Sequence, residues 1–94
     1  MTELRAVVHG LVQSVWFRGW TRDAARELGL RGWVRNRRDG SVELAARGEQ
    51  ASLRRFLARL HDGPPLARVS QVDATWADPA DDAAPFPPGF EVRH

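Results

Sequence analysis

The stretch GWVRNRRDGSVELAARG, residues 32–48, is two extended runs joined through Asp39 and Gly40. Asp-Gly between extended runs is the strongest short-range signal for a β-hairpin, because the turn needs residues that accept positive φ. On the second arm Val42, Leu44 and Ala46 alternate, as they do in a strand with one face buried. A hairpin of two antiparallel strands therefore stands near the middle of the chain, and the flanking segments must pack around it.

Upstream, Leu4, Ala6 and Val8 alternate over residues 4–9, which reads as a first strand. Phe17, Trp20, Ala24 and Leu28 then recur at spacings of three and four, with Gly29 where a helix ends in a left-handed cap. This first helix begins at or beside Arg18. Downstream, Leu53, Phe56, Leu57 and Leu60 follow the i, i+3, i+4, i+7 pattern ahead of Gly63, giving a second amphipathic helix. PPLARVSQVDATW, residues 64–76, reads as a Pro-opened strand with Val72, Ala74 and Trp76 alternating. The acidic, Pro-rich ADPADDAAPFPPG, residues 77–89, reads as a surface loop, and FEVRH adds a short last strand. The order is βαββαβ with an extra edge strand. It predicts an α+β, ferredoxin-like split βαβ sandwich, an antiparallel sheet with two helices on one face, formed by one domain over residues 1–94.

Composition narrows the function classes. With 94 residues, no cysteine and three scattered histidines, the chain offers no thiol nucleophile, no disulfide framework and no sequence cluster of metal ligands. The pI near 10.9 suggests nucleic acid, but 14 basic against 12 acidic residues give a net charge of only +2. Every basic residue is Arg, and without Lys, Tyr or Cys almost nothing titrates between about pH 8 and 11, so a small Arg excess holds the curve up. No apolar run is long enough for a membrane span, and residues 1–10 lack a cleavable leader pattern, so a cytoplasmic location is expected.

A ferredoxin-like sheet with strand order 4-1-3-2 makes strands one and two parallel, each beside strand three, with their carboxyl ends on one edge about 10 Å apart. Strand one there runs into HGLVQSVWFR, and strand two ends at Asn36. Arg18 and Asn36 then face one small ligand. The loop offers backbone N–H groups, the helix start carries partial positive charge, and the Arg18 fork matches phosphate oxygens. The apolar neighbours Val15, Trp16 and Phe17 are expected to limit competing water. Asn36 has no acid–base power, but its amide both donates to and accepts from a water and so can aim a nucleophile. A phosphoryl ligand and hydrolysis fit this pairing.

At these residues the chain resembles the acylphosphatases. GLVQSVWFR, residues 10–18, is similar to the family's G-x-V-Q-G-V-x-F-R, and residues 32–48 match its second signature throughout. The resemblance implies that Arg18 is the phosphate-binding catalytic arginine and that Asn36 positions water. It also implies hydrolysis of carboxyl–phosphate mixed anhydrides with no metal and no cofactor. The backbone N–H groups of Gln13, Ser14, Val15, Trp16 and Phe17, with that of Arg18, are then expected to hold the phosphoryl oxygens. Two departures stand out: Ser14 occupies the usual glycine position, where positive φ would cost on the order of 1 kcal/mol, and Leu11 stands where many relatives carry a basic residue.

His9 alternates with Val8 and so faces away from the core as a surface histidine, and Ser14 has no adjacent base to make it a nucleophile. Arg37, Arg38, Arg54, Arg55 and Arg59 read as solvated faces, and Trp16, Trp33 and Trp76 as core or rim packing. An RNA-binding module shares the βαββαβ order, but its third strand is rich in aromatics, whereas SVELAARG has none. An anion sensor without turnover is the third reading. The expected partner is a small acyl phosphate, with no nucleic acid, no membrane and a monomeric state.

Overall fold

The computed structural model describes residues 1–79 and 86–94. Its elements run β1 (Thr2–Leu11), α1 (Phe17–Glu27), β2 (Arg31–Asn36), β3 (Val42–Gly48), α2 (Gln50–Asp62), β4 (Arg68–Ala77) and β5 (Phe90–Arg93). The sheet order is β4-β1-β3-β2-β5. Every neighbouring pair is antiparallel except β2 and β5, which run parallel with Arg35 beside Arg93. This is the ferredoxin-like α+β sandwich with a fifth strand on the β2 edge.

The alternating apolar sets converge on one core. Leu4, Ala6 and Val8 of β1, Val34 of β2, and Val42, Leu44 and Ala46 of β3 are all buried on the face covered by the helices. From α1 come Phe17, Ala24 and Ala25, and from α2 Leu53, Phe56 and Leu60. Phe56 meets Phe90 of β5 edge-on, the centroids 6.0 Å apart. The last turn of α1 is closed by a Schellman motif, in which the Leu30 N–H donates to the Ala25 carbonyl at 2.9 Å and the Gly29 N–H to the Arg26 carbonyl at 3.1 Å. Thr21 is fully buried in α1, and its Oγ1 has no hydrogen-bond partner among the described residues.

The second face of the sheet is roofed by guanidinium groups and aromatic rings. Glu3 accepts from Arg5 Nε and Arg47 Nε, both at 2.7 Å, and the Arg47 guanidinium lies 4.0 Å from the centre of the Phe86 ring. Burial pushes the Glu3 carboxyl up, but the bonds from Arg5 and Arg47 outweigh it and hold the group below the ordinary carboxylate value. Trp33 is buried between Arg35 and Arg93, at 5.6 and 4.9 Å.

Three details differ from the sequence reading. The expected Pro-opened strand begins only at Arg68, because residues 64–67 form a turn closed by the Ala67 N–H on the Pro64 carbonyl at 2.9 Å. Val72, Ala74 and Trp76 do lie opposite Val8, Ala6 and Leu4, yet Trp76 is 41% exposed, because β4 is an edge strand. A bulge at His9 and Gly10 changes the register there and brings Val69 against the core instead. Gly10 (φ 123°) sits where a Cβ would be 2.0 Å from the Arg68 carbonyl oxygen, so the bulge requires glycine. The expected surface loop falls partly on residues 80–85, which lie outside the described residues, while Phe86 is half-buried beneath Arg47.

Candidate active site

β1 ends at Leu11, and residues 12–16 carry the chain over the sheet edge into α1. Val12 (1% exposed) and the Phe17 ring (1% exposed) anchor the two ends of this loop in the core. Between them Ser14 and Trp16 both adopt φ of 61°, with Val15 on the negative side. Alternation of left-handed and ordinary residues turns successive N–H groups toward a common point, the geometry of an anion-binding nest. Among the described residues none of the N–H groups from Gln13 to Gly19 meets a protein acceptor, and the first helical bond is the Trp20 N–H on the Trp16 carbonyl at 3.0 Å. The loop N–H groups and the positive end of α1 thus stand together.

Arg18 follows at the second position of α1 and is half-buried. Its Nη1 donates to the Arg93 carbonyl at 3.0 Å and lies 3.1 Å from His94 Nδ1. A guanidinium only donates, so the latter contact requires a lone pair on Nδ1 and places the ring proton on Nε2. Nε and Nη2 of Arg18 have no protein partner among the described residues, which leaves that side of the fork open.

Asn36 closes β2. It pairs with Val42, as does Val8 of β1, so these three residues form one row across the sheet. Since Arg35 lies beside Arg93, the next residues, Asn36 and His94, leave the sheet on the same edge, and Arg18 contacts His94 there. The Asn36 side chain is exposed and unpartnered among the described residues. The turn beyond it is tight: the Arg37 N–H donates to the Ser41 carbonyl at 2.8 Å and the Gly40 N–H to the Arg37 carbonyl at 3.3 Å. Asp39 accepts from the Ser41 hydroxyl and, at 2.9 Å, from the Ser41 N–H; these bonds hold its carboxyl below the ordinary value.

The side chain of Gln13 joins the two halves. Its Nε2 donates to the carbonyls of Arg37 (2.7 Å) and Ser41 (2.9 Å), fixing the nest to the hairpin turn that follows Asn36. The sequence reading used only the Gln13 backbone. It likewise missed the carbonyl of Arg93 and the ring of His94, since β5 meets Arg18 only in the folded sheet.

The apolar neighbours separate by role. The Phe17 ring is in the core, packed on Trp20 at 5.5 Å, and does not screen the site; Trp16 is 63% exposed and lies at the rim against the first turn of α1 rather than in the core. His9 faces away and pairs with Asp73, Nε2 to Oδ2 at 3.0 Å. Two hollows at the opposite end of the sheet, one lined by Met1, Thr2, Gly29, Gly48, Glu49 and Gln50, the other by Thr2, Gln50, Trp76, Ala77 and Asp78, contain no arginine. Among the described residues no group of three or more His, Asp or Glu is placed to hold a metal ion, and no helix is long and apolar enough to cross a membrane.

The fold is a small α+β ferredoxin-like domain, with the loop N–H groups of residues 13–17 and an arginine at the start of its first helix on one edge of the sheet. A model of the acylphosphatase family matches residues 4–92. Acylphosphatase 2 of Ralstonia nicotianae is 50% identical over 86 residues, 92% of this chain and 86% of its own length. The crystal structure of acylphosphatase from Bacillus subtilis superposes with a TM-score of 0.90 at 31% identity, covering 100% of both chains. The structure of an acylphosphatase from Coxiella burnetii gives 0.87 at 40% identity, over 98% of this chain and 92% of that one. The chain belongs to the acylphosphatase family of hydrolases.

Proposed function

We propose that this chain hydrolyses the carboxyl–phosphate bond of acyl phosphates without a metal, through the nest of residues 13–17, Arg18 and Asn36. The observation that carries the reading is the run of unpartnered N–H groups turned inward by the paired φ of 61° at Ser14 and Trp16, directly ahead of Arg18. In it, the N–H groups of Gln13, Ser14, Val15, Trp16 and Phe17 and the free side of the Arg18 fork hold the phosphoryl oxygens. Asn36 accepts from and donates to a water in line with the acyl oxygen. The water oxygen bonds to phosphorus, the phosphorus–acyl oxygen bond breaks, and the carboxylate leaves with the electron pair. The water proton passes to a phosphoryl oxygen, so the products are carboxylate and inorganic phosphate.

No strong base is required, because a loose phosphoryl transition state asks mainly for alignment and for charge stabilisation on the equatorial oxygens. The carboxylate is already a good leaving group. The reading takes the chain as one domain and a monomer, working in the cytoplasm on a small molecule with no nucleic-acid partner.

The test is loss of benzoyl phosphate absorbance with chelator present. Parent protein turns over; Arg18→Gln loses both turnover and inhibition by inorganic phosphate; Asn36→Ala loses turnover and retains inhibition. A folded parent no faster than buffer removes the hydrolase reading, and an Asn36→Ala variant with parental rates removes the water-positioning role.

A further inference from the structure

We propose that the indole of Trp16 is the seat for the acyl group, selecting acyl phosphates whose acyl part is a flat apolar ring over those with a small one. The inference rests on the reading of residues 13–18 as the phosphoryl cradle.

Within that loop the apolar side chains have separate fates. Val12 and Phe17 are in the core and Val15 is packed against it, whereas Trp16 leaves 63% of its surface in solvent. Its backbone is nevertheless in the left-handed region (φ 61°, ψ 24°), where a bulky residue is an outlier. Burial of the ring does not offset that strain. Strain of this kind persists where the surrounding structure imposes it, and it concentrates at ligand sites.

The ring is also held in a defined place. A Cβ built on Gly19 would meet Trp16 Nε1 at 2.3 Å, Cε2 at 2.5 Å and Cδ1 at 3.0 Å, so the indole lies against the first turn of α1 in the space a side chain at residue 19 would fill. Gly19 is helical and buried, and glycine inside a helix is ordinarily unfavourable. Here it makes room for the ring at the start of α1.

Chemistry links ring and cradle. The backbone N–H of Trp16 belongs to the set that holds the phosphoryl oxygens, and the acyl carbon is separated from phosphorus by a single bridging oxygen. A ring carried by the same residue is therefore within reach of the acyl group. An indole face offers stacking to a planar aromatic acyl group and little to a methyl.

The test measures affinities for phenylphosphonate and methylphosphonate by titration calorimetry, with inorganic phosphate as reference, in the parent and in Trp16→Phe, Trp16→Asn and Gly19→Ala. The parent should prefer phenylphosphonate by about tenfold, the amount one covered ring face supplies. Trp16→Phe should keep the preference. Trp16→Asn, which tolerates the left-handed backbone, and Gly19→Ala, which displaces the indole, should bring the two ligands close to parity. Damage to the cradle itself would affect both phosphonates alike and cancel in the ratio. Phosphate binding without any phenyl preference in the parent, or a preference unchanged in Trp16→Asn, overturns the acyl seat alone. A preference that persists in a parent with no turnover overturns the hydrolase reading alone, and no binding of any of the three anions overturns both.

Discussion

Ser14→Gly isolates the conformational strain of the nest. Ser14 is at φ 61°, exposed, and its hydroxyl makes no hydrogen bond among the described residues, so the substitution removes no side-chain contact there. An L-residue in the left-handed region costs about 1–2 kcal/mol that glycine does not incur, while the freer unfolded chain of the glycine variant returns about 0.5–1 kcal/mol. The difference is a net stabilisation of about 0.5–1 kcal/mol. For 94 residues the unfolding entropy is about 200 cal/mol/K, which converts that gain into a Tm increase of about 3–5 °C. Thermal unfolding followed by circular dichroism at fixed pH and salt is the assay, with Ser14→Val as the opposite perturbation, since a β-branched side chain is least tolerant of positive φ. Ser14→Val should lower Tm while Ser14→Gly raises it. If Ser14→Gly lowers Tm and Ser14→Val leaves it unchanged, residue 14 is not left-handed and the inward turn of the N–H groups fails with it.

Gln13→Ala removes both bonds to the hairpin turn and should cost about 1–2 kcal/mol in urea denaturation, with faster amide exchange at Gly40 and Ser41 than elsewhere in β3. A folded-state Glu3 carboxyl held below its unfolded value contributes stability that is fully present above the unfolded pKa and lost as pH falls through the folded one. Glu3→Gln should therefore destabilise by about 2–3 kcal/mol at pH 7, because Arg47 stays buried without its charge partner, and should flatten the decline in urea midpoint below about pH 4.5. Thr21→Val keeps the shape of a buried side chain and removes a hydroxyl without a partner, so it should leave Tm unchanged or raise it by about 2–5 °C; a fall would mean that Oγ1 has an acceptor.

The sheet was legible because its pattern is local. Leu4, Ala6 and Val8, and Val42, Leu44 and Ala46, alternate without interruption, and opposite Val8 and Asn36 the same Val42 appears, as an order of 4-1-3-2 demands. Parity alone does not report depth: Trp76 keeps the core-facing parity of β4 and stays exposed, while Val69 reaches the core because Ser70, an extra residue in its own strand opposite His9 and Gly10, resets the pairing. At the candidate site, the placement on one sheet edge of Asn36 at the end of β2 and of the loop leading from β1 to Arg18 followed from element order. The left-handed backbone of Trp16 had no local signature, since nothing about tryptophan favours positive φ. The grip of Arg93 and His94 on Arg18 spans most of the chain, and no window of sequence contains both partners.

That separation orders events in time. Residues 12–18 are synthesised well before β5, and the carbonyl that takes one end of the Arg18 fork belongs to a residue 75 positions later. A growing chain can form the β1, β3 and β2 core and start α1 while its arginine is still unrestrained. Closing so long a loop carries an entropic cost that grows slowly with length but comes before any contact in it forms. On the proposed reading of the site, refolding followed through anion capture should therefore lag behind refolding followed through the helices, because the Arg18 fork is held only once β5 docks beside β2.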